Sequence, residues 1–189
     1  MSFSERCCQI FEQGTKAYHV TDSVDATVHN PYPVQSIEFY LYLKHWIDVV
    51  QWHLEVMIHD PGIEAEKALA IKRRIDRSDM DRTDLVELID SILLDSYCDV
   101  VLQPDATLNT ESPGWAIDRL SLLDLKVYHL EEELGKKGLE SSYREKCHKQ
   151  LALLQEQRRD LALAIDQLLT DIKEGRKKMK VYKQFKIYL

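Results

Sequence analysis

A chain of 189 residues, 44% hydrophobic and 30% charged, has the size and composition of one globular domain with a real core. Its formal net charge of -7 excludes the basic footprint that general nucleic-acid binding requires. No apolar run is long enough to span a bilayer, and the opening MSFSERCCQIFEQG lacks the basic start and apolar core of a secretion signal, so cytoplasmic residence is expected.

Only six glycines and five prolines interrupt the chain, which permits long helices. The expected fold is all-α, an elongated bundle of about five helices forming a single domain over residues 1–189. The first segment covers about 4–18, with Ile10 and Phe11 as core candidates, and TDSVDATVHNPYP at 21–33 is a linker. The second runs over about 34–59 and stops at HDPG. Its apolar face is Tyr40, Leu43, Ile47, Val50, Leu54 and Met57. Lys44, Asp48, Gln51 and Glu55 form a polar row, read as solvated, with Trp52 beside it.

The third segment covers about 63–98. Ala68, Ile71, Ile75, Val86, Ile89 and Leu93 recur at helical spacing, but Asp79 and Arg82 fall where that stripe should continue. A row of Lys72, Asp76, Thr83, Glu87 and Asp90 follows one edge. A loop precedes the fourth segment, which starts with Ser112 as N-cap and Pro113 in its first turn and ends near Gly135 and Gly138. It is apolar over a wide arc and therefore central, although Asp118 shares a row with Trp115, Leu122 and Leu125 that ends at His129.

The fifth segment covers about 141–174. Leu151, Leu154, Arg158, Leu161, Ile165, Leu168 and Ile172 form an a/d seam that fits an intramolecular or an intermolecular contact equally well. A helix of about 35 residues spans about 50 Å, whereas a compact globule of this length has a radius of gyration of about 16 Å, so the bundle must be elongated or its helices kinked. The basic tail at about 176–189 places Val181, Phe185 and Tyr188 at i, i+4, i+7, a pattern suited to a membrane surface, a partner or a helix C-terminus.

Charges inside apolar stripes are expensive unless paired. Asp79 and Arg82 can pair within one helix, and Asp118 and Arg158 across two, giving a balanced network of Asp79, Arg82, Asp118 and Arg158 that sets helix register. A competing reading places Mg²⁺ or Mn²⁺ among Asp48, Glu55, Asp76, Glu87 and Asp90, with Lys72, Arg82 and Arg158 neutralising a phosphate. That would be a metal-dependent nucleotide or phosphate-ester hydrolase resembling the all-α nucleoside triphosphate pyrophosphohydrolases. Glu87 and Asp90 match the ExxD half of that signature, and the ExxE half is missing. The seven histidines are dispersed, and Glu145 to His148 is an isolated ExxH. Cys7, Cys8, Cys98 and Cys147 form no CxxC pair and read as reduced thiols.

The phrases WHLEVMIHDP, IKRRIDRSDMDRTDLVELID, SPGWAIDRLSLLDLKVYHL and MKVYKQFKIY together resemble the bacterial family known as domain of unknown function 4254, from about residue 35 onward. WAIDRLS is the most specific part. The resemblance implies a bacterial, cytosolic, helical protein associated with glycosyl transfer in cell-envelope polysaccharide synthesis, and it brings no assigned catalytic residues. Two departures stand out. Val56 follows Glu55 where relatives carry Asp, and Asp79 and Met80 replace Asn-Gln, while Arg82 and Asp84 fit. The leading expectation is an interaction or accessory protein that needs no cofactor and contacts a protein partner, or itself, through its helices.

Overall fold

The computed structural model describes residues 1–185 as five α-helices: α1 (Phe3–Thr21), α2 (Ile37–Ile58), α3 (Ala65–Ser96), α4 (Pro113–Gly135) and α5 (Ser141–Lys173). The predicted segments all appear, and their ends follow local chemistry. Ser2 and Glu5 close a capping box on α1. Ser36 accepts from Phe39 N at the start of α2, and Ser112 accepts from Trp115 N ahead of Pro113 at the start of α4. No described helix is long and apolar enough to cross a membrane.

α4 is the hub, packing on each of the other four helices. Its Ala116, Ile117, Leu120 and Leu125 are buried against Ile10 and Phe11 of α1, Leu41 and Val49 of α2, Ile89 of α3 and Ile165 of α5. The seam of α5 is therefore turned inward over its second half, where Ile165, Leu168 and Ile172 are buried. α3 and α5 hold 32 and 33 residues, which makes each about 50 Å long.

Helix α2 departs from expectation. The first half of the row read as solvated faces the bundle centre, with Lys44 0% exposed and Asp48 3%, whereas Gln51 is half-buried and Glu55 is exposed as expected. Tyr40, Leu43, Ile47 and Val50 are only half-buried, and Met57 is exposed. The rotation follows from what the neighbours offer, described below.

The start of α4 is locked to α3. Asp90 accepts from Gly114 N at 2.7 Å and from the Ser112 hydroxyl, so a carboxylate faces the helix N-terminus. A Cβ on Gly114 would lie 2.7 Å from Asp90 Cγ and 2.8 Å from the Val86 carbonyl oxygen. Gly114→Ala is expected to cost about 1–3 kcal/mol through this overlap, read as a lowered urea midpoint. An unchanged midpoint would show that α4 can shift freely on α3.

The tail does not continue α5. Gly175, at φ 72°, ends the helix in the left-handed region. Residues 176–185 are not helical, and their start lies beside the loop before α4, where Thr107 N donates to Arg176 O and Lys178 N to Thr107 O. The expected helical spacing of Val181 and Phe185 is thus not realised, and Lys186 and Tyr188 lie outside the described residues.

Candidate functional site

A chain of polar contacts crosses the bundle from α1 to α3. Lys44 spends all three of its N–H donors inside, on Asp48 Oδ2 (2.5 Å), Asp118 Oδ1 (2.7 Å) and Asp118 O (3.2 Å). Arg82 grips Asp118 bidentately, with Nε and Nη2 each 2.8 Å from a carboxylate oxygen, and reaches Asp79 at 3.4 Å. The other end of the chain continues from Asp48 to the Ser121 hydroxyl, to His45 Nδ1 (2.7 Å), and from His45 Nε2 to Thr15 (2.7 Å).

Electrostatics follow burial and pairing. Burial pushes the Asp118 carboxyl up, but the Arg82 hydrogen bonds and the Lys44 charge outweigh it and hold it below the usual carboxylate range. The same hydrogen bonds raise Arg82. At Asp48 burial wins over Lys44 and Ser121, and the pKa is raised. His45, sealed from solvent and beside the Lys44 charge, is pushed down to about 3 and is neutral.

Ser121, His45 and Asp48 are the residue types of a hydrolase triad in the wrong arrangement. The hydroxyl lies between imidazole and carboxylate, where a triad needs the imidazole between the other two. Ser121 is also 0% exposed, so no substrate reaches it.

Of the predicted network, Asp79, Arg82 and Asp118 come together, and Arg158 does not. Arg158 is instead engaged by Asp124, which lies farther along α4 than Asp118 and beside Cys8, because the position facing Asp118 is taken by Lys44 and Arg82. The five acids considered for Mg²⁺ or Mn²⁺ are dispersed. Asp48 belongs to Lys44, Asp90 caps α4, Asp76 pairs with exposed Lys72, Glu87 accepts from Gln184 N at 2.6 Å, and Glu55 is exposed. The phosphate-neutralising trio is likewise split, with Lys72 on Asp76, Arg82 on Asp118 and Arg158 on Asp124.

Two surface features complete the picture. Between α4 and α5 runs an open groove with two successive hollows of about 540 and 510 Å³. Its walls carry Leu122, Leu123, Leu130, Leu154 and Leu161, with Lys126 between the hollows and Leu153 standing 54% exposed at one end. Trp52 and His129 also line that end. Behind them, His19 of α1, His53 of α2 and His129 of α4 converge, with ligand nitrogens within 4.8 Å of one another.

These histidines are dispersed along the chain, and the fold gathers them. A sequence signal is nonetheless present: His19 precedes Asp22 and His129 precedes Glu132 by three residues, about one helical turn. Both carboxylates bond their histidines, at 3.0 and 2.9 Å.

A family model described as "Protein of unknown function (DUF4254)" matches residues 38–181, and the chain belongs to this family. Neither a curated protein nor a solved structure matches it. His53 and His129 fall inside the matched region, as do all four members of the predicted network; His19 precedes it.

Proposed function

We propose that this family member is a bacterial cytosolic interaction protein that receives an amphipathic helix of another protein in the α4–α5 groove. The observation that carries the reading is the groove itself: an apolar floor of leucines with two hollows in line and Leu153 exposed beside them. Its charged rim selects the occupant. Lys126, between the two hollows on the α4 side, fits a helix with an acidic flanking residue, while Arg119 is engaged by Glu111 and Asp160 lines the α5 side. The Asp124–Arg158 pair supports the role by tying α4 to α5, the two walls of the groove, before the partner arrives. The resemblance to proteins associated with envelope polysaccharide synthesis makes an enzyme of that process the partner class we propose.

A photo-crosslinking residue placed at Leu153, in the full chain and in cells, tests this. The expected result is an adduct on an acidic amphipathic helix of a different protein, reduced at least tenfold by Lys126→Glu with the fold unchanged by circular dichroism. An adduct only to a second copy of this chain would replace the partner by self-association. No specific adduct, or one indifferent to Lys126→Glu, would overturn the reading.

A further inference from the structure

We propose that His19, His53 and His129 bind a first-row transition-metal ion, Zn²⁺ foremost, through their three Nε2 atoms. All three Nε2 atoms are buried and have no hydrogen-bond partner among the described residues. An unpartnered buried nitrogen costs free energy, and three such rings with one ring nitrogen of each within 4.8 Å of the others is the arrangement a cation would satisfy.

The tautomers of His19 and His129 are set correctly. A carboxylate only accepts, so Asp22 and Glu132 each fix the proton of their histidine on Nδ1 and leave the Nε2 lone pair facing inward. Asp22 does so from a left-handed backbone conformation (φ 49°, ψ 47°) that caps α1.

The rings are also held in place. Tyr18 stacks on His53 at 4.8 Å, Tyr128 on His19 at 5.0 Å and Trp52 on His129 at 4.7 Å, so each imidazole has its own aromatic support. Zinc takes nitrogen at about 2.0–2.1 Å, so tetrahedral ligation wants nitrogens about 3.3 Å apart and the rings need to close by about 1.5 Å at most. Three nitrogens suit Zn²⁺ or Co²⁺ and not Mg²⁺ or Ca²⁺, which want oxygen. The fourth position goes to water or a small ligand. The site ties the end of α1 to α2 and α4, and it stands or falls independently of partner docking in the groove.

The experiment is titration of the metal-stripped full chain with Zn²⁺ and with Co²⁺, following calorimetric heat and the visible d–d bands of Co²⁺. One equivalent is expected to bind with the intense bands of a four-coordinate site and to raise the thermal midpoint, while Mg²⁺ does neither. Glu132→Gln keeps all three ligands and is expected to weaken Zn²⁺ binding by about 10–100-fold. His53→Gln is expected to abolish the tetrahedral Co²⁺ spectrum. Absence of a one-equivalent site in the wild type would overturn the proposal. So would binding that Glu132→Gln and His53→Gln both leave unchanged, which would put the metal on other histidines. If His53→Gln does not fold, the Glu132→Gln affinity and the wild-type spectrum decide alone.

Discussion

Replacing Lys44 by methionine is expected to remove about 3–5 kcal/mol of folding stability, the cost of leaving a buried charge without its partner. Lys44 stands between Asp48 and Asp118, both 3% exposed. Without it Asp118 keeps Arg82, but Asp48 has, among the described residues, only the Ser121 hydroxyl and an Arg82 nitrogen 3.5 Å away. Asp48 must then take up a proton or remain charged in a site that water does not enter. Urea unfolding at pH 7 measures the loss. The double variant Lys44→Met with Asp48→Leu removes both charges and is expected to recover much of it, because a buried pair exchanged for apolar side chains is often neutral. A loss below about 1 kcal/mol in the single variant is the value for an exposed pair and would contradict the burial of this one.

The elements were legible because their signals are local. Ser112 with Pro113 marks the start of α4, and the HDPG stop places the end of α2 within one residue of Ile58. Asp79 and Arg82 were legible as a pair for the same reason, being about one turn apart. The inward face of α2 was not. Periodicity assigns Lys44 and Asp48 to solvent because each is charged; they turn inward because α4 supplies Asp118 and Ser121, and α3 supplies Arg82. That complement comes from distant parts of the chain, 34 positions from Asp48 to Arg82 and 74 from Lys44 to Asp118, which a helical-wheel argument on one segment does not contain. The misassigned partner of Arg158 has the same origin. Asp118 and Asp124 both lie on α4, and choosing between them requires knowing that Lys44 already occupies the first. The histidine centre lies between these cases: the fold alone brings its ligands together, while the HxxD and HxxE spacings were in the sequence.

Acidification is expected to destabilise the wild type more than His45→Gln, by about 1.4 kcal/mol for each pH unit below about 6.5. His45 is held down to about 3, first by burial and then by the Lys44 charge. Above about 6.5 neither the folded nor the unfolded chain protonates this ring, and its contribution is fully present. Below that, the unfolded chain takes up a proton that the folded chain refuses, so stability falls with pH until the folded ring itself titrates near 3. Other groups add their own slopes. Burial lifts Asp124 to about 6, so it binds its proton in the folded state first and stabilises on acidification. His53 and His129, both lowered, act in the same sense as His45. These slopes are common to the two proteins and cancel in the difference. The glutamine amide of the variant can still meet Thr15, so one end of the polar chain is kept. Urea unfolding of both proteins at pH 7 and pH 5 should show a gap that changes by about 2 kcal/mol. Parallel behaviour would mean that His45 accepts a proton in the folded state. The Thr15–His45–Ser121 contacts would then have to rearrange, because a doubly protonated ring cannot accept the hydrogen bond that one of its two nitrogens receives here.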